Sequence, residues 1–219
     1  MSLISPAEKV PHETMDNAHR VLLGAHSACE AFYEAFNQAG APDAPSDHEQ
    51  DLLRAMVVFA SAGLDSVVKQ LVVDSLPTVV LTTVEAREQA RTYVERKIKA
   101  DGSPRLLSQA LVADSARDHL IELLVGDIRS GSLQSVDELS RATSFFAIPT
   151  ADVIDDVEAL RAAFHARNQI SHEMDVDFAA APSIRRQRGR DELERHTNTI
   201  LIAANRAFDR VGERLLGSA

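Results

Sequence analysis

The chain predicts an all-α fold, a helical bundle of about six to seven helices, on three observations. Apolar residues recur at three- and four-residue spacings through long runs. Those runs are dominated by Ala, Leu, Val, Glu and Arg, and most of these favour helix. The nine glycines and eight prolines cluster between the runs. No alternating strand of useful length is visible; residues 78–82 could extend locally but would lack a partner. With 219 residues and 45% hydrophobic content the chain can bury one sizeable core, and no long linker divides it, so it reads as a single domain.

The elements come in this order. A first helix spans about 15–37, where Leu22, Ala25, Cys29, Phe32 and Phe36 alternate by three and four, and it ends in Ala39-Gly40-Ala41-Pro42. The second, about 48–76, carries Leu52, Leu53, Met56, Val57, Phe59, Leu64, Val67, Val68, Leu71 and Val72 around most of its circumference. Such a helix belongs at the centre of the bundle, and Pro77 stops it. Thr82 with Glu85 has capping-box spacing and starts a third helix, which ends near Ala100 before Asp101-Gly102-Ser103-Pro104. A fourth runs from Pro104 to about Ile128 with Leu107, Leu111, Ala113, Leu120, Leu123 and Leu124 inward, and Gly126 and Gly131 mark its end. Ser135 with Glu138 repeats the capping pattern for a short helix before Pro149. Thr150 caps the next helix, whose first turns carry Asp152, Asp155 and Asp156 where the helix dipole favours negative charge. After a loop through Ala179-Ala180-Ala181-Pro182, a last helix from about 190 to 216 presents Leu193, Ile200, Leu201, Ala204, Phe208, Val211 and Leu215.

Charge and composition exclude several functions. A net charge of -10 argues against a general nucleic-acid coat, because such affinity comes from phosphate neutralisation by Lys and Arg, so any RNA contact must be local. The most apolar stretch, residues 56–64, is interrupted by Asp65 and Lys69 too soon for a bilayer span, and no basic-then-apolar leader opens the chain; a soluble, cytoplasmic protein with no membrane partner is expected. The lone Cys29 forms no internal disulfide and reads as a small buried hydrophobe. There is no phosphate-binding loop, dinucleotide fingerprint or nucleophile elbow, and the His165, His172, Glu173 and Asp175 set lacks an established zinc spacing, so neither metal nor other cofactor is expected.

The most informative segment is residues 164–173. Leu160, Ala163, Phe164, Ile170, Ser171 and Met174 form the apolar stripe of a helix, and Arg167 sits in the middle of it. A core-facing arginine needs an anion, either a carboxylate such as Asp65 on the second helix or the phosphate of a ligand. Asn168 and His172 lie one turn apart on one face, while Arg167 is about 140° round from His172 on a straight helix. The guanidinium could reach round, but the two residues meet more naturally across a symmetric helix pair. Together these side chains suit metal-independent RNA cleavage. An imidazole can take the 2′-hydroxyl proton, a guanidinium can stabilise charge on the phosphoryl oxygens, and Asn168 can orient either. Just beyond, Arg185, Arg186, Arg188, Arg190 and Arg195 form the chain's one concentrated basic stretch and are the candidate RNA-backbone contacts.

Arg167-Asn168-Gln169-Ile170-Ser171-His172 resembles the Arg, polar residue, spacer and His signature of the HEPN-domain superfamily (higher eukaryote and prokaryote nucleotide-binding), and the apolar second helix looks like that family's long early helix. The resemblance implies a core of about 48–175 with added N-terminal (about 15–37) and C-terminal (about 190–216) helices. It implies Arg167 and His172 as the catalytic pair, with Asn168 in support, in an endoribonuclease of toxin–antitoxin or antiviral defence systems, active as a homodimer and restrained by an antitoxin or sensor protein. The alternative is a noncatalytic helical binding or scaffold module for a protein or nucleotide. In that module Arg167 makes a structural ion pair; the acidic run Asp152, Asp155, Asp156 and Glu158, which repels RNA, weighs toward it.

Overall fold

A computed structural model describes residues 2–39, 46–101 and 104–217, without the side chains of residues 100, 101 and 104–107. Among the described residues the fold is all-α: α1 (Asp16–Ala39), α2 (Asp47–Asp74), α3 (Leu76–Thr82), α4 (Val84–Asp101), α5 (Pro104–Val112), α6 (Ala116–Ser130), α7 (Val136–Ser144), α8 (Thr150–Val153), α9 (Val157–Glu173) and α10 (Arg190–Leu216). The predicted turns at 40–45 and 102–103, and the inward placement of Leu107, lie outside the described residues.

The apolar circumference of α2 places it at the centre, packed by α1, α9 and α10. Its buried residues run from Gln50 to Val72, and Ser46 with Glu49 closes a full capping box at its start. Contrary to the sequence reading, α2 is long and apolar enough by composition to cross a bilayer; in this fold it is the core helix. Against it α1 crosses closely, since a Cβ added at Gly63 would lie 2.3 Å from the Ala25 Cβ. Gly63→Ala is therefore expected to destabilise the fold by about 1–3 kcal/mol through overpacking. Urea unfolding should register that loss, and Ala25→Gly on the same background should recover part of it.

Two runs that periodicity joins are broken, and helix resumes where Pro77 was expected to stop it. Ser75 separates α2 from α3, which holds Pro77 in its first turn, where the missing N–H has no partner to lose. Residues 78–82 are thus helical, and the Thr82 hydroxyl donates back to the Thr78 carbonyl (2.9 Å) rather than capping α4. Between α5 and α6, Ser115 accepts from the Asp118 N–H (3.2 Å) and starts a new helix, which leaves Leu111 79% exposed instead of inward. Thr150 begins only the four-residue α8; the cap of α9 is Asp156, accepting from the Ala159 N–H at 2.9 Å. Ser135 caps α7 as its spacing predicts. Beyond α9 the loop contains an antiparallel pair of two-residue strands, β1 (Val176–Asp177) and β2 (Ile184–Arg185), too short to show as alternation.

The N-terminal residues, on which periodicity is silent, form an extended strap along α10. Asn198 accepts from the Ile4 N–H (3.0 Å) and donates to the Ser2 carbonyl (3.1 Å). Asn205 accepts from the Ala7 N–H (3.2 Å) and donates to the Ser5 carbonyl (2.9 Å). The buried His26 of α1 joins them, with Nδ1 3.1 Å from the Ile4 carbonyl and Nε2 3.0 Å from Asn205 Oδ1.

Candidate functional site

α9 buries Leu160, Ala163, Phe164 and Ala166 against the core, which turns Asn168 and His172 outward and leaves Arg167 half-buried between. Arg167 Nη1 donates to Asn168 Oδ1 at 3.0 Å and reaches His172 Nε2 at 3.4 Å. A guanidinium has no acceptor, so this contact is a hydrogen bond only in the tautomer whose Nε2 carries the lone pair. The three candidate catalytic residues therefore meet within one chain, where a meeting across two copies was expected, because the long arginine side chain covers the angular gap.

The carboxylate expected as an alternative partner is engaged elsewhere. Asp65 accepts from the Leu133 N–H (2.7 Å) and from Lys69 (2.8 Å), and it acts on Arg167 through charge alone. Burial pulls the Arg167 guanidinium below the ordinary arginine range and the Asp65 charge opposes this; an arginine stays cationic at neutral pH all the same. Among the described residues no carboxylate lies in ion-pair range of Arg167, and its Nε is buried without a hydrogen-bond partner, as is Ser171 Oγ. The acidic run sits at the other end of α9, where Asp156 is about 24 Å from His172 at 1.5 Å per residue. There Asp156 caps the helix and Asp155 pairs with Arg206.

Sequence reasoning missed the structure's buried ion cluster. α9 ends with Met174 and Asp175 both left-handed (φ 51° and 57°), a strained pair for residues that are not glycine. What holds them is Asp175, fully buried, which accepts from Arg54 Nε (2.9 Å) and from Arg188 Nε and Nη2 (2.9 and 2.8 Å). Burial pushes the Asp175 carboxyl up, but the hydrogen bonds and charges of Arg188 and Arg54 outweigh it and hold it below the usual carboxylate range. Arg188 also donates to Gln169 Oε1 on α9 (2.7 Å), and the Asp175 N–H to the Gln169 carbonyl (2.9 Å), so the turn bearing His172 is pinned. Arg54 further donates to the Arg186 carbonyl at 2.8 Å. The signal was available: Arg54 interrupts Leu53, Met56 and Val57 on the core helix just as Arg167 interrupts α9.

Four of the five arginines chosen as RNA contacts are committed inside the chain. Arg185 pairs with Asp51 (3.2 Å to Oδ2), Arg186 with Glu173 (3.0 Å), Arg188 with Asp175 and Glu192 (2.8 Å each), and Arg190 with Glu194 (2.6 Å) and the Tyr33 hydroxyl. Arg195 is exposed and has no carboxylate in ion-pair range among the described residues. The partners are distant in sequence or on a later helix turn, so a basic run alone could not reveal them. Among the described residues no group of three or more His, Cys, Asp or Glu side chains is placed to hold a metal ion. No family model, no curated protein and no solved structure matches the chain.

Proposed function

We propose that this protein is an HEPN-like, metal-independent endoribonuclease whose Arg167, Asn168 and His172 act on the RNA phosphodiester. The reading is supported above all by the contact from Arg167 Nη1 to His172 Nε2, on an open face with no carboxylate paired to the guanidinium. A phosphoryl oxygen entering the site draws the guanidinium away, which frees the Nε2 lone pair. That nitrogen then takes the proton of the 2′-hydroxyl. The 2′-oxygen bonds to phosphorus, Arg167 and Asn168 stabilise the charge on the phosphoryl oxygens, and the bond from phosphorus to the 5′-oxygen breaks. The leaving 5′-oxygen takes the proton that Nε2 now carries, which restores the neutral imidazole and gives a 2′,3′-cyclic phosphate and a 5′-hydroxyl. Arg195, exposed and without a carboxylate in ion-pair range among the described residues, is the basic-run residue this reading assigns to the RNA backbone. Pairing of two copies and restraint by an antitoxin or sensor protein belong to the same proposal.

One observation favours the noncatalytic scaffold instead: the internal pairing of Arg185, Arg186, Arg188 and Arg190 leaves little free positive charge for RNA. Incubating purified protein with single-stranded RNA in EDTA separates the two. The nuclease should cut under chelation and leave cyclic-phosphate ends. Intact RNA, or cutting that returns only with a divalent ion, rejects the mechanism.

A further inference from the structure

Among the described residues a cavity of about 710 Å³ lies between α3, α4 and α6, toward the N-terminal ends of α4 and α6, which Lys97 and Asp127 clasp further along (2.9 Å). Its walls are aliphatic: Val80 and Leu81 from α3, Ala90 and Val94 from α4, Leu120 and Ile121 from α6. Arg87, Ala90 and Val94 fall at the spacings of a single face of α4, as Arg117, Leu120 and Ile121 do on α6. Helices in direct contact interdigitate and leave few voids larger than a water. These two faces instead border a space within the roughly 300–1,000 Å³ of small-molecule sites. The charged residues of the lining are Arg87, Arg91, Glu95 and Arg117. Arg91 is held by Glu88 (2.6 Å) and Glu95 (3.0 Å), and Arg117 by its neighbour Asp118 (3.2 Å). Arg87 donates from Nη2 to the Leu81 carbonyl at 2.7 Å, and no carboxylate among the described residues is in ion-pair range of it.

We propose that this cavity binds an amphipathic monoanion, an aliphatic tail that carries a carboxylate, as a fatty acid does. The walls offer a tail burial and no hydrogen-bonding side chain, so a polar body would give up its water there without compensation. Arg87 selects the head. A guanidinium has five donors and this one spends a single donor on Leu81; the planar fork that remains matches a carboxylate through two parallel bonds. One cation without a carboxylate partner answers one negative charge. In a chain of net charge -10, such a local positive group is what draws an anion to the mouth. No lining residue belongs to α9, so the site is independent of the cleavage reading.

Titration calorimetry with decanoate below its micellar concentration tests the site, with 1-decanol as the uncharged control. Wild-type protein should take up one equivalent of either. Arg87→Gln should weaken decanoate about tenfold, the net worth of a charge-assisted hydrogen bond, and leave decanol unchanged. Ala90→Phe, which places a ring in the cavity, should abolish uptake of both. If Ala90→Phe fails to fold, a spin-labelled decanoate added to wild-type protein should broaden the methyl resonances of Val80, Leu81, Val94 and Leu120 ahead of any others. Failure of wild-type protein to bind decanoate, full binding by a folded Ala90→Phe, or broadening centred elsewhere overturns the site. Unchanged decanoate affinity in Arg87→Gln, or equal weakening of both ligands, overturns it as well. So does a wild-type dimer that binds no decanoate and that Ala90→Phe splits on sedimentation, which gives the cavity to a second copy.

Discussion

Replacing His172 by alanine is expected to lower RNA cleavage by about 10²–10⁴-fold, the usual contribution of a positioned general base. The side chain is exposed and, among the described residues, Arg167 is its one hydrogen-bond partner, so the thermal midpoint should hardly move. Arg167→Lys is the more discriminating partner experiment. Lysine keeps the positive charge but loses the planar fork that lets one guanidinium hold Asn168 and a phosphoryl oxygen together. A loss of about 10²–10³-fold is expected, comparable with removing one donor from an oxyanion site. Because the two residues act as a unit, the double variant should be little worse than His172→Ala alone. Full cleavage by either single variant in a rate assay refutes the assigned roles.

Asp175→Ala should be the most destabilising single substitution at this end of the molecule. It removes the shared anion of two guanidinium groups whose side chains are 3% and 8% exposed, Arg54 and Arg188. Stranding a buried charge in this way costs about 3–5 kcal/mol. The left-handed Met174 and Asp175 would also lose what holds them, so cleavage should fall along with stability. Changing all three members to apolar residues of similar volume should recover much of the loss, because it is the unpaired charge that is expensive. The same group gives a pH dependence of known sign. Its folded carboxyl is held below the unfolded value of about 3.9, so its contribution is complete above that value and drains away as pH falls through the folded one. Wild-type protein should therefore lose stability on acidification below about pH 4 by a component that Asp175→Asn lacks, as chemical denaturation across pH would show.

The helical class, the central place of α2 and the bounds of α10 were all legible, because three- and four-residue periodicity records which face of a helix is buried. The interruptions were not. A serine can cap a new helix at 115 or pass unnoticed inside one, and only the packing of the residues beyond it decides. Within the site, the oddity of Arg167 and its spacing to His172 could be read directly, but their contact could not. In helical projection they stand on different sides, and the length of one side chain resolves this. The arginines from 185 to 190 show the reverse failure: local sequence displayed their charge and hid Asp51 and Asp175. Arg54 was missed although it satisfied the criterion applied to Arg167, since one charge among the many apolar residues of α2 is easily averaged away.

The strap on α10 has a metrical consequence. Asn198 and Asn205 are seven residues apart, which along a helix is about 10.5 Å. Ile4 and Ala7, whose N–H groups they receive, are three residues apart, which in extended chain is about 10 Å. The two lattices coincide over this interval, as marks on a vernier do, so each asparagine amide meets the same pair of backbone groups, an N–H and the carbonyl two residues earlier. A slip by one residue would bring each amide opposite the wrong group, so the two asparagines set the N-terminal segment's register on the helix against its nearest alternatives.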